Sequence, residues 1–236
     1  MNNIITPTAN KLLASLPGNE LERLVPKLEK VDLTFGKQIF DRGELIEHVY
    51  FPISTVTTLL AVGPEDLTLE IGLVGPEGIV GLPAVIGDKV APYRAVVQAD
   101  GTAMRMAAKD FEIECANAET LRRMLLRFSY VTMVQTSLAS ACHRFHEIEK
   151  RLVRWILMTS DRIETSEILV THDFLTNILG ERPEAVDRAF ASLENRNLIT
   201  YSRNRLVIPD RIALEAAACK CYKIIRDEER NFMILH

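Results

Sequence analysis

A chain of 236 residues, 47% apolar and 25% charged, can bury a core in each of two domains, and this composition excludes an intrinsically disordered polymer. No run of about 18 apolar residues is present to span a membrane, and residues 1–11 lack the basic and apolar blocks of a signal peptide, so a cytoplasmic protein is expected. A formal charge of −4 excludes a surface that clings to nucleic acid everywhere, and four cysteines without framework spacing suit a reducing compartment.

Taken in chain order, residues 9–16 and 20–28 read as short helices interrupted at Pro17-Gly18 and near Pro26. From Lys30 the texture turns to Val, Ile, Thr and Tyr. Segments 37–40, 48–62, 67–74 and 94–99 are cut by Gly36-Lys37, Arg42-Gly43, Gly63-Pro64 and Gly75-Pro76. Many short strands with regular punctuation predict a small antiparallel roll or barrel.

Residues 119–145 contain no Gly or Pro and predict one long helix. Leu121, Met124, Phe128, Val131, Gln135, Leu138, Cys142 and Phe145 follow one another at alternating steps of three and four. That 3.5-residue period is expected to form a parallel homodimer seam, with Gln135 as its one polar, register-fixing member. The alternative is a helix packed on its own domain, a contact that Leu125 and Val134 could serve.

A second helix is expected over 147–159, with Ile148, Leu152, Trp155 and Ile156 inward, followed by a polar loop at 160–167. In the stretch 170–199 apolar Phe174, Leu175, Ile178 and Leu179 recur at helical spacing, Gly180 breaks the pattern, and Val186, Ala189, Phe190 and Leu193 resume it. Two short amphipathic helices joined at a glycine are a helix-turn-helix, and Pro183 suits the first turn of the second helix. Thr200-Tyr201 and residues 205–208 flank Ser202-Arg203-Asn204 and read as a wing, after which a last helix runs from Pro209-Asp210 to about Arg226.

Gly180, Glu184, Val186, Arg188, Leu193, Glu194 and Asn197-Leu198-Ile199 resemble the DNA-binding end of the cyclic-AMP receptor protein/fumarate-nitrate regulator (CRP/FNR) superfamily of transcription regulators. The run from Phe35 to Glu44 and the segment Gly78-Ile79-Val80-Gly81 resemble that family's sensor domain. The resemblance implies an α+β chain: an antiparallel β-roll of double-stranded β-helix or jelly-roll type over 1–118, a dimerisation helix over 119–146 and a winged helix-turn-helix over 147–236. It implies double-stranded DNA, a second copy of the chain and RNA polymerase as partners, and no membrane.

For DNA, the candidate residues are Thr171, Arg182, Glu184, Ala185, Arg188, Arg203 and Arg205. A glutamate can accept from a cytosine amino group and an arginine can fork onto guanine, so Glu184 and Arg188, one turn apart, are the expected base readers. They could instead form an i,i+4 ion pair. Arg203 and Arg205 are expected to touch phosphate from the wing. Asp187 adds a negative charge on the same helix, and residues 171–211 hold as many acids as arginines.

In the roll, the expected ligand pocket comprises Ile79, Gly81, Leu82, Tyr93 and Arg94. Cyclic-nucleotide members of the family resemble one another in a Gly-Glu pair for the ribose and an Arg-Ser-Ala for the cyclic phosphate. Here the pair is Gly81-Leu82 and the later site is Tyr93-Arg94-Ala95, so cyclic nucleotide is disfavoured and the effector is left unknown. No cysteine precedes Cys115 to build an N-terminal iron–sulfur site. Cys142, His143 and His146 close the long helix, and Cys219-Lys220-Cys221 lies in the last one. On a continuous helix those last two thiols diverge by roughly 200°, so no metal site is assigned.

Catalysis finds no support: one histidine of five, His48, lies in the roll, and neither a nucleophile elbow nor a phosphate-cradling loop is present. The competing class is a ligand-binding or protein-interaction module whose helix-turn-helix no longer binds DNA.

Overall fold

The computed structural model describes residues 7–234, so residues 1–6, which begin the stretch that lacks signal-peptide character, and the last two residues lie outside it. Two short helices, α1 (Lys11–Ala14) and α2 (Gly18–Leu24), precede seven strands: β1 (Glu29–Leu33), β2 (Gln38–Phe40), β3 (His48–Pro52), β4 (Val56–Val62), β5 (Thr68–Val74), β6 (Arg94–Ala99) and β7 (Gly101–Ala107). They form two antiparallel sheets, ordered β1-β7-β3 and β2-β6-β4-β5, which face each other as the expected roll. Asn10 caps α1 and donates from Nδ2 to the carbonyls of Pro52 (2.8 Å) and Gly78 (3.0 Å), which seats buried Leu12 and Leu13 in the roll.

The helical part follows as α3 (Ala108–Asn117), α4 (Glu119–Phe145) and α5 (Ile148–Ile163). The winged-helix part comprises β8 (Glu167–Leu169), α6 (His172–Leu179), α7 (Pro183–Asn195), β9 (Thr200–Ser202), β10 (Arg205–Val207), α8 (Arg211–Ala217) and α9 (Lys220–Ile234). The expected final helix is thus two, because the chain turns out of helical geometry at Ala218, and α9 runs back along α4.

Strand β4 is buried at each residue from Val56 to Leu60 rather than at alternate ones. Leu59 faces the roll interior, whereas Val56 and Leu60 join Leu73 of β5 in a second core with Trp155, Ile156, Leu179 and Val186. One sheet therefore carries the roll on one face and the winged helix on the other, and a strand buried on both faces loses its period of two. Arg154 and Glu70 cross this junction as an ion pair at 3.5 Å, with 1% and 2% of their side chains exposed. Thr159 and Gln98 add a hydrogen bond at 2.6 Å.

Helix α4 is where the sequence expectation needs correction. Leu121, Met124, Phe128, Val131, Gln135 and Cys142 are buried inside their own chain, and Leu138 packs half-buried beside the winged-helix core; of the expected seam, Phe145 alone is exposed. Phe128 stacks on Phe232 of α9 with centroids 5.8 Å apart, and its ring lies against Gly78, where a Cβ would come within 2.1 Å. Burying such a ring is worth roughly 1.5–3 kcal/mol. Gln135 is no register device: its amide oxygen accepts from Leu73 N and its Nε2 donates to Leu73 O, which satisfies edge strand β5. A 3.5-residue period marks a helix with one long buried face, and here that face is covered by the roll and α9 rather than by a second copy.

The exposed stripe lies almost opposite. Leu126, Tyr130, Met133, Ser137, Ser140 and Arg144 also follow steps of four and three, and the first three are 60%, 52% and 59% exposed.

Candidate nucleic-acid interface

Thr171 is the N-cap of α6, its hydroxyl accepting from Phe174 N at 3.2 Å, so its side chain is engaged in starting the helix. Leu175, Ile178 and Leu179 bury the inner face, and Gly180 ends the helix at φ 61°, ψ 38°. Helix α7 then opens with Pro183 and turns Val186, Ala189, Phe190 and Leu193 inward. That burial leaves Arg182, Glu184, Asp187 and Arg188 on the open side, with Ala185 half-exposed between them.

The wing is the three-stranded sheet β8-β10-β9. Its two-residue turn holds Arg203 and Asn204 at φ 51° and 63°, the paired positive angles of a type I′ hairpin. Tyr201 fixes this turn by donating to Val170 O (3.0 Å) and Asn204 Oδ1 (3.2 Å), and Glu194 accepts from Tyr201 N at 2.9 Å, joining the wing to α7.

Charges on this edge divide into engaged and free. Glu181, in the turn, pairs with buried Arg151, Arg205 pairs with Glu167, and Arg196 pairs with Glu149. Arg182, Glu184, Arg188 and Arg203 are exposed, and among the described residues none of their side chains forms a hydrogen bond or ion pair. The alternative Glu184–Arg188 pair is therefore not formed. Asp187, the awkward acid of the sequence, lies 2.9 Å from His172 Nδ1. His172 itself stacks between Phe190 and Tyr201, at 5.0 and 4.8 Å. Sequence reasoning missed His172, since nothing in helical spacing distinguishes it.

In the roll, four of the five expected pocket residues pack at the core, and Arg94 is engaged elsewhere. Ile79 is core, Leu82 packs against it from the short 3-10 turn Leu82–Ile86, and Gly81 backs onto Val49. Tyr93 stacks on Phe40 at 5.9 Å, and burial pushes its phenol pKa up. Arg94 turns outward to grip Asp41 through two bonds (2.9 and 2.8 Å) and Asp66 at 2.8 Å, and this guanidinium holds the Asp41 carboxyl below the usual range. A cyclic phosphate would need that guanidinium inward and unpaired, so these residues do not fit one. A separate cleft of about 360 Å³ is lined by Ile39, Glu44, Glu47, His48 and Tyr50.

Residues 150–217 match the family described as the Crp-like helix-turn-helix domain, and residues 30–117 match the cyclic nucleotide-binding domain, together well over half of the chain. The chain belongs to the CRP/FNR superfamily. Solved CRP/FNR structures share its fold at low identity. A CRP/FNR-family transcriptional regulator from Eubacterium rectale superposes with a TM-score of 0.68 at 15% identity, covering 87% of this chain and 96% of the other. FixK2 from Bradyrhizobium japonicum gives 0.65 at 14%, covering 81% and 98%. The c-di-GMP responsive regulator CLP of Xanthomonas campestris gives 0.62 at 16%, covering 81% and 99%. No curated protein matches by sequence. The CRP/FNR superfamily is one of transcription regulators, and no helix among the described residues is long and apolar enough to cross a membrane.

Proposed function

We propose that this CRP/FNR chain is a homodimeric transcription regulator that reads a two-fold DNA operator through α7 and touches phosphate through its wing. The observation that carries the reading is the set of four unpaired polar side chains, Arg182, Glu184, Arg188 and Arg203, along one open edge of a winged helix. Glu184 and Arg188 lie on the exposed face of the recognition helix and read bases; Arg182 and Arg203 lie at its start and on the wing and bind phosphate. Placement substitutes for charge excess, and the Asp187 carboxylate is held against His172 Nδ1.

The dimer uses the exposed α4 stripe of Leu126, Tyr130 and Met133, which sets two recognition helices at successive major grooves about 34 Å apart. Control enters through the roll by a chemistry other than cyclic phosphate, since Leu82 offers no acceptor for a ribose hydroxyl and Arg94 is held by two aspartates. Selection from genomic fragments across a salt series tests the reading. A regulator recovers particular fragments and loses affinity steeply with salt, whereas flat or absent binding assigns the chain to the interaction-module class.

A further inference from the structure

Four metal-binding side chains meet at one point outside the DNA edge. Cys142 lies on the last turn of α4, and His146, four residues on, is the C-cap whose N closes that turn onto Cys142 O at 3.0 Å. Cys219 lies between α8 and α9, and Cys221 lies in the first turn of α9. The bend at Ala218 removes the divergence expected of two thiols on a continuous helix and turns both toward α4. All four ligand atoms lie within 4.8 Å of one another, the three cysteines buried and the histidine half-buried.

Two of the separations are close to those of a coordination shell. Cys142 Sγ and Cys219 Sγ are 3.7 Å apart, and Cys221 Sγ is 3.8 Å from His146 Nδ1. Around a tetrahedral zinc with bonds of about 2.3 Å to sulfur and 2.0 Å to nitrogen, two sulfurs stand about 3.8 Å apart and a sulfur and a nitrogen about 3.5 Å. A disulfide needs about 2.05 Å, and all four cysteines of the chain are free. Three sulfurs cluster with one another here, separate from the apolar cores.

We propose that Cys142, His146, Cys219 and Cys221 form a closed, four-ligand site for a thiophilic divalent cation of the zinc class. Three thiolates and an imidazole select zinc over hard cations, and four protein ligands leave no position for substrate, so the site is structural. Binding requires the thiols as thiolates and releases their protons to solvent. The cation ties the end of α4 to the α8–α9 bend across the α4–α5 joint, where His146 leaves helical geometry at φ −115°, ψ 145°. The site stands on these four residues alone and not on the DNA reading.

The test is metal content and cobalt spectroscopy of the full chain purified under reducing conditions. Elemental analysis is expected to find about one zinc per chain, and the metal-free chain titrated with Co²⁺ is expected to develop thiolate charge-transfer and tetrahedral d–d bands that saturate at the same stoichiometry. His146→Ala and Cys221→Ser are expected to weaken cobalt binding by at least about tenfold while far-UV circular dichroism stays native. Cys115→Ser, in the roll core, leaves the bands unchanged. A folded, fully reduced chain that gives no bands, or bands that both variants leave unchanged, overturns the proposal.

Discussion

Gly180, at the turn between the two DNA-domain helices, stands against Leu69 of the roll so closely that a Cβ at 180 would lie 2.9 Å from Leu69 Cδ1. The adjacent Thr68 hydroxyl donates to Asn177 O at 3.1 Å, and Phe35 stacks on Phe174 at 5.1 Å. The helix-turn-helix is thus held by the roll at its turn, and Gly180 meets two demands at once, a left-handed backbone and a small radius.

Gly180→Ala is therefore expected to lower stability by about 1–2 kcal/mol, the cost of a β-carbon in left-handed geometry, with a further loss from Leu69. Urea denaturation measures it. Because asparagine tolerates that backbone, Gly180→Asn should lose less if the backbone dominates and as much if the contact does.

Among the free side chains, Arg188→Ala should cost about 1–3 kcal/mol on the preferred operator and relax preference at one base pair per half-site. Arg182→Ala should weaken all sequences alike and reduce the slope of log K against log salt by about one for each chain bound. Fluorescence anisotropy on a panel of single-base operator variants separates the two. Equal effects on every sequence would remove Arg188 from the readers.

For the dimer, Leu126→Glu with Met133→Glu should give a folded monomer in sedimentation velocity. Phe128→Glu, buried against Gly78 and Phe232, should instead unfold the chain, since it places a charge where no water reaches. A folded monomer from Phe128→Glu would restore the seam first expected from the 3.5-residue period.

That contrast marks how far the sequence is legible. Helix α4 has the ends its Gly- and Pro-free run implies, and the helix-turn-helix, wing and roll follow from Gly180, from Ser202-Arg203-Asn204 and from the Gly-Pro punctuation. Periodicity reveals that α4 has a buried face but not its partner, because a roll, a returning helix and a second copy all demand the same apolar spacing. Strands β1 and β7 are not legible because their outward positions are charged or small, and β8, which overlaps the expected loop only at Glu167, is not because three residues carry too little pattern. The thiol cluster was illegible for a related reason: one bend at Ala218 decides whether Cys219 and Cys221 converge.

Glu229 provides a pH test. Its carboxyl and that of Glu77 share the buried guanidinium of Arg162, and burial, opposed by Arg162 and reinforced by Glu77, pushes Glu229 up to about 7. The folded chain then holds a proton that the unfolded chain releases near pH 4.5. Stability from this group is complete below about 4.5 and is lost as pH rises through about 7. Glu229→Gln should flatten that part of the profile of urea midpoint against pH; an unchanged slope would show that another group carries it.

The sheet that serves both domains makes the roll poorly transferable. Val56, Leu60, Leu73 and Glu70 are shaped and charged for Trp155, Ile156 and Arg154 of this winged helix. Splicing the roll onto another regulator's DNA-binding half would strand an apolar face in water and a carboxylate without its cation. Such a chimera needs the outer face of β4 and β5 transplanted with α5, so the working module of this protein is the joint between its domains.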